Sequence, residues 1–301
     1  MNLQQLRVFA YAARFATLTE AASELRLKQP TVTFHLKKLE EDLGVELFRK
    51  LPRRMHLTDA GRTLLPYAKR ICALVDESDR LMAEHRDQGR GQLRVGASYT
   101  PATYFMPPYL ADYQSRNPNV MPMLTVKQAG DILELLRGYE IDVAVVSLLG
   151  DIAIEELRVV PLVEDGLKLL LPTTHPLVRS PELSLDDLRG EAFLVHEQGS
   201  TSRELSELWA KDNGLQWNVR MELGAIETIK ESVKHGIGVG IVPWRSVMKE
   251  AREGELVARD LPGRVRNRHI CLVYRQEDVM AHHVLAFIQY MKEQCEVTVQ
   301  G

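Results

Sequence analysis

Apolar residues at Leu3, Leu6, Val8, Phe9 and Ala12 recur at helical spacing and predict a first short helix. The run Thr17-Leu18-Thr19-Glu20-Ala21-Ala22 restarts a helix, with Thr17 or Thr19 as its N-cap. Ala21, Ala22 and Leu25 suit close helix–helix packing. After a break at Arg26-Leu27-Lys28-Gln29, Pro30 fits the first turn of a third helix, where its missing N–H costs nothing. That helix is expected over Gln29–Leu43. Val32, Leu36, Leu39 and Leu43 fall on one stripe, the core side. The opposite side carries Pro30, Phe34, Lys37 and Lys38, flanked by Thr31, Thr33 and His35. Gly44 ends the helix. Val45–Arg49 and Met55–Thr58 read as two short strands, joined by the basic tip Lys50-Leu51-Pro52-Arg53-Arg54.

A long helix is expected from Asp59 to about Arg86, capped by Thr58. Leu64, Ala68, Ile71, Val75 and Met82 form a short heptad-like seam, with Ser78 in the slot before Met82. Such a helix is a rod of roughly 40 Å, and a rod with an apolar seam calls for a partner. Residues 88–92 read as a hinge. From Leu93 onward strands and helices alternate, which predicts mostly parallel sheets with helices on both faces. The remaining chain is long enough for two lobes with a cleft between. The expected order is a head at 1–58, a linker helix at 59–87, the hinge, and a body at 93–301. The first lobe takes about 93–162 and 267–301, the second about 163–266.

Composition narrows the class. The 301 residues are 45% hydrophobic and 26% charged, ordinary for a globular chain. No apolar run approaches the ~20 residues of a membrane span, and the first residues lack the layout of a signal peptide. Three scattered cysteines show no metal or redox spacing, which fits a reducing cytoplasm. The net charge of −3 conceals an asymmetry: residues 1–90 hold 16 Lys/Arg against 12 Asp/Glu, and residues 91–301 hold 22 against 29. A basic head on an acidic body suggests that the head meets a polyanion.

The third helix suits that partner. Its exposed N-terminal half is rich in donors and free of carboxylates, while Glu40, Glu41 and Asp42 sit at the far end. A helix of this kind enters a major groove tip-first. Gln29, Pro30, Thr31, Thr33, Phe34, His35, Lys37 and Lys38 are the candidate contacts with double-stranded DNA, joined by Arg53 and Arg54 of the basic tip.

In the body, ligands of open α/β sheets bind beyond the carboxyl ends of strands. Ser98 and Thr100 follow the first strand, Gln128 follows the second and Ser147 ends the third. Ser200, Thr201 and Ser202 precede a helix in the second lobe. Hydroxyl-rich helix starts facing one another across a cleft would grip a small anion through neutral donors; each of them, taken alone, also reads as an ordinary N-cap. Gly236-Ile237-Gly238-Val239-Gly240 has the wrong spacing for a dinucleotide loop and is expected to lead into a buried strand. Trp209, Trp217 and Trp244 read as packing residues, with Trp244 also a candidate lining of the cleft. No catalytic constellation, cofactor motif or metal spacing stands out.

The first 65 residues resemble the winged helix-turn-helix domain of LysR-type transcriptional regulators. The likeness rests on Phe9, Thr19-Glu20-Ala21-Ala22, Leu25, Gln29-Pro30-Thr31-Val32-Thr33, Leu36-Lys37-Lys38-Leu39-Glu40, Leu43-Gly44-Val45-Glu46-Leu47-Phe48-Arg49, Arg53-Arg54 and Leu57-Thr58-Asp59-Ala60-Gly61. The body is similar, more loosely, to that family's two-lobed effector-binding domain, itself like periplasmic solute-binding proteins. The resemblance implies a dimerising linker helix, commonly a homotetramer, a small-molecule effector held near Ser98, Thr100 and the Ser200–Ser202 turn, no other cofactor, and contact with RNA polymerase. Phe34 departs from the family, which often has Arg there; a base-reading guanidinium is replaced by a ring suited to thymine methyls. Two other classes stay open at this point: an architectural DNA-binding protein with a ligand-indifferent body, and an enzyme carrying a DNA-binding head.

Overall fold

The structure is a computed structural model that describes residues 1–15, 17–51, 54–86, 91–150, 153–266, 268–276 and 280–299. It divides into two compact units, a head of Met1–Gly89 and a body that begins at Arg90.

In the head, α1 (Leu3–Ala12), α2 (Leu18–Glu24) and α3 (Gln29–Leu43) precede a hairpin of β1 (Phe48–Leu51) and β2 (Arg54–Leu57), and α4 (Asp59–Arg86) follows. Capping boxes start the first two helices: Asn2 with Gln5, and Thr17 with Glu20. Gly44, at φ 70°, closes α3 in the left-handed region. Val8, Phe9, Ala12, Ala21, Val32, Leu36 and Leu39 form the core. The hairpin is docked by one side chain. Glu40 Oε1 accepts the backbone N–H groups of Leu47 at 2.7 Å and Phe48 at 3.2 Å. Thr58 caps α4 by accepting the Gly61 N–H at 3.0 Å, while its hydroxyl donates to the Glu46 carbonyl. A Cβ on Gly61 would lie 2.3 Å from the Leu47 carbonyl oxygen, so this close crossing of helix and hairpin requires glycine.

Two five-stranded sheets build the body. The first lobe contains β3 (Gly91–Ala97), α5 (Tyr99–Tyr104), α6 (Met106–Arg116), β4 (Val120–Val126), α7 (Ala129–Arg137), β5 (Val143–Leu149) and β6 (Leu157–Glu164). The chain then crosses to the second lobe: β7 (Leu167–Pro172), β8 (Ala192–His196), α8 (Thr201–Asp212), β9 (Asn218–Leu223), α9 (Ile226–Lys234), β10 (Val239–Pro243), α10 (Trp244–Glu253) and β11 (Leu256–Asp260). It returns through β12 (Arg268–Arg275) and ends in α11 (His282–Val299). The sheet orders are β4-β3-β5-β12-β6 and β11-β7-β10-β8-β9. Trp209 of α8 packs on one face of the second sheet, and Ile229 and Val233 of α9 on the other.

Several expectations are corrected. The sheets are not mostly parallel: β3 pairs in parallel with β4 and β5, but β12 runs antiparallel to both β5 and β6. The second sheet is divided in the same way. A strand that returns from the other lobe is free of the right-handed crossover that makes neighbours parallel. The helical segment after β3 is split at Phe105 into α5 and α6, because Pro107 and Pro108 have no N–H to offer the preceding turn. The strand β6 was absent from the sequence reading, since Pro161 sits within it; it is tolerated at a sheet edge beside a register shift. The first lobe also runs further than residue 162, to the end of β6 at Glu164.

Candidate functional site

On the head, α3 presents the face expected from its pattern, except that Leu43, expected on the core side, is exposed at the helix end. Val32, Leu36 and Leu39 are buried, while Gln29, Pro30, Phe34, Lys37 and Lys38 are exposed and Thr31, Thr33 and His35 are half-buried. Phe34 is 63% exposed, with its ring 5.7 Å from that of His35. The Thr33 hydroxyl donates to the Gln29 carbonyl at 3.1 Å, which leaves its lone pairs outward. Lys38 is less free than its sequence position suggests: its Nζ lies 3.5 Å from Glu41 and 3.6 Å from Asp42. Arg53, and the side chains of Lys50 and Arg54, lie outside the described residues.

The expected seam on α4 is corrected. Ala68 is fully buried, and Leu64 packs with it against the head's own core, as do Leu65 and Cys72. The exposed apolar stripe runs instead through Tyr67, Ile71, Leu74 and Met82. It is the same helical periodicity turned toward the neighbouring face, and Ile71 and Met82 belong to it as expected.

In the body, Ser98, Thr100, Gln128, Ser147, Ser200, Thr201 and Ser202 line one narrow cleft of about 30 Å³ between the two lobes, with Tyr99, Ala129, His196, Ile226 and Arg268. The lobes touch at its walls. Thr201 donates from its hydroxyl to the Ser147 carbonyl at 3.4 Å. Gly199, at φ 80°, brings its backbone against Gln128, whose Oε1 would be 3.2 Å from a Cβ. Further out, the Tyr104 hydroxyl of α5 donates to Glu227 of α9. Lys230, buried, binds Glu227 at 2.8 Å and Glu250 at 2.6 Å, with its Nζ 5.3 Å from the centre of the Tyr104 ring.

Arg268, which forms part of the cleft lining, was missed by sequence reasoning. Its side chain is 1% exposed. One terminal nitrogen donates to Ser202 Oγ at 3.0 Å; the other donates to Ser147 Oγ at 2.8 Å and Asp165 Oδ2 at 3.2 Å. Burial lowers the affinity of its guanidinium for a proton, and Asp165 opposes that. Both hydroxyls are thereby used as acceptors, so their own protons must point elsewhere. Ser98 Oγ likewise accepts the Ser147 N–H at 3.1 Å. The three hydroxyls therefore keep their own protons for donation to another partner. Ser200 behaves differently: its hydroxyl donates to the Glu197 carbonyl and accepts the Arg203 N–H, an ordinary N-cap. His196, also missed, is buried at the end of β8, and burial pulls its imidazole below the usual range.

Other features are structural. Gly236–Gly240 leads into buried β10, where a Cβ on Gly238 would meet the Ala192 carbonyl oxygen. Trp209 is buried and donates to the Pro262 carbonyl, Trp217 packs on Phe193, and Trp244 packs beside the second lobe's core rather than lining the cleft. No helix among the described residues is long and apolar enough to cross a membrane, and no cluster suited to a metal ion occurs among them.

Comparison with known proteins places these features. Residues 3–62 match the model of the bacterial regulatory helix-turn-helix proteins of the lysR family, and residues 86–296 match the LysR substrate binding domain. The HTH-type transcriptional activator CmpR of Synechocystis is 30% identical, over 96% of this chain and 94% of its own length. The fold is shared with full-length CbnR in complex with its target DNA (TM-score 0.67, 22% identity, covering 97% of this chain and 99% of the other). It is also shared with the Synechocystis CcmR regulatory domain in complex with 2-PG (TM-score 0.62, 22% identity, covering 68% and 98%).

Proposed function

The chain belongs to the LysR family of bacterial transcriptional regulators, and on that premise we propose that the cleft of its body holds a small anionic effector that alters how its head engages DNA. The observation that carries this reading is the set of hydroxyls of Ser98, Ser147 and Ser202, drawn from both lobes into one cleft with their oxygens already used as acceptors. Neutral donors of this kind bind an anion with little desolvation cost of their own. The effector shifts transcription by its differential affinity for two arrangements of the protein. That the CcmR regulatory domain shares the fold of the body and is known in complex with 2-PG supports a small anionic ligand for the body.

On the head, the Gln29–Lys38 face of α3 is the base-reading surface; that CbnR, which shares the fold, is known in complex with its target DNA supports DNA as the partner. The apolar stripe of α4 is covered by α4 of a second copy, giving a homodimer with two recognition helices for two half-sites. The protein acts in the cytoplasm as a regulator without catalysis of its own. The test is selection of genomic fragments by the purified protein at physiological salt, with and without 2-PG as a probe. Discrete, roughly palindromic fragments whose affinity responds to the probe support the reading. Unselective recovery that modest salt abolishes overturns it.

A further inference from the structure

Four buried side-chain nitrogen or oxygen atoms have no hydrogen-bond partner among the described residues: His196 Nδ1, Arg245 Nε, Glu250 Oε2 and Arg268 Nε. Two of them, His196 Nδ1 and Arg268 Nε, belong to residues that line the same cleft. A buried polar atom without a partner is costly, and its persistence calls for a reason. Their chemistry differs. Arg268 Nε carries an N–H and can only donate. The His196 ring is 5% exposed and is held neutral at pH 7 by burial, with Arg268 acting in the same direction and Glu197 and Glu222 against it. Nδ1 has no partner, and in the neutral ring protonated at Nε2 it carries a lone pair that accepts.

We infer that the cleft is a two-point receptor for a small hydroxycarboxylate, whose anionic group takes the Arg268 Nε–H and whose hydroxyl donates to His196 Nδ1. The inference rests on the reading of the cleft as an effector site. The hydroxyls of Ser98, Ser147 and Ser202, whose oxygens already accept, supply further donors to the anionic group. Asp165 balances the charge of Arg268, so the empty cleft is close to neutral and attracts its ligand by directed hydrogen bonds rather than by net charge. Recognition by paired buried groups is selective because an analogue that lacks the hydroxyl leaves His196 Nδ1 unpartnered. The cleft's size confines the class to compact molecules.

The test is calorimetric titration of the full-length protein with four probes: acetate, glycolate, propionate and lactate. Each hydroxy acid is compared with its deoxy partner. Binding of each hydroxy acid about tenfold or more tighter than its partner is the expected result. His196→Phe should abolish that preference while sparing acetate, and His196→Asn, which keeps a polar group near the Nδ1 position, should restore part of it. Arg268→Lys keeps the charge but loses the Nε–H, and should weaken all four; its thermal unfolding shows whether it remains folded. A preference that survives His196→Phe overturns the inference, as does no binding of any probe at about 10 mM. If the histidine and arginine variants change nothing while Thr100→Val or Ser98→Ala weakens binding, the two-point receptor fails and the effector cleft stands. If no cleft substitution alters the binding of a probe, the cleft reading fails as well.

Discussion

Asp165 and Arg268 meet at 3.2 Å at the two places where the chain crosses between the lobes, with both side chains buried. Asp165 lies between β6 and β7, and Arg268 opens β12. The backbone reinforces the pair: the Asp165 N–H donates to the Arg268 carbonyl at 2.9 Å, and Asp165 Oδ1 accepts the Arg245 N–H. The remaining N–H groups of Arg268 hold one serine from each lobe. The crossover is thereby tied to both walls of the cleft.

Removing one partner of this pair leaves the other charge buried and alone. Arg268→Met is expected to cost about 3–5 kcal/mol. Asp165→Leu combined with Arg268→Met should recover most of the loss, because no uncompensated charge remains. Urea unfolding of the two variants measures this, and equal destabilisation by both would contradict it.

Gly199 is constrained twice, by its φ of 80° and by Gln128 across the cleft. Gly199→Ala places a side chain in a conformation that L residues avoid, at a cost of roughly 1–2 kcal/mol. The new methyl also presses on Gln128 at 3.2 Å, so the lobes should close less readily. Thermal unfolding should fall, and affinity for a cleft ligand should fall with it. Gly130→Ala, where nothing lies within 4 Å, is the control.

Much of this was legible in the sequence because it depends on local pattern. The α3 stripe of Val32, Leu36 and Leu39, the Thr17 cap and the Gly44 terminus are decided within a few residues. All seven cleft residues named from strand ends and helix starts do meet in one cleft. Arg268 and Asp165 were not legible, since their pairing spans 103 positions and depends on where the chain crosses between sheets. The α4 seam was half legible. Periodicity gives a stripe, but which of two adjacent stripes is covered depends on how the head packs, and Ala68 is already taken by it.

The two faces of α4 therefore predict different failures. Leu74→Asp changes an exposed position, so the head should keep its fold while the protein dissociates to monomers. Ala68→Asp introduces a charge into the head's core and should unfold the head. Sedimentation reads the first and circular dichroism the second. A Leu74→Asp variant that stays dimeric would mean that a different surface joins the copies.

Among the α3 lysines, Lys37 and Lys38 differ in company. Lys38 has Glu41 and Asp42 within 4 Å, although its side chain is 51% exposed. Its charge is partly balanced before DNA arrives. Lys37→Ala should lower the salt dependence of DNA binding by about 0.9 in log–log slope, as for one lost phosphate contact. Lys38→Ala should lower it less. Phe34→Ala should instead alter preference for thymine positions with little change in slope. Binding assays across a salt series on a set of sites measure all three, and a larger change from Lys38→Ala would contradict the comparison.

His196 links the cleft to pH. Burial holds its folded-state proton affinity below the ordinary value of 6.5, which the unfolded chain approaches. As pH falls through about 6.5, the unfolded state gains a proton that the folded state refuses, so stability declines. The contribution is fully present above that pH and fades toward the lower folded-state value. Asp42, Asp112, Asp187 and Asp212 are held below the usual carboxylate range by hydrogen bonds, and their stabilisation is lost only further into acid. His196→Asn removes the histidine contribution and leaves theirs intact. Between about pH 7.5 and 5.5 the melting temperature of the parent should fall more than that of His196→Asn. Parallel curves over that range would show that His196 takes up a proton as readily in the folded protein as in the unfolded chain.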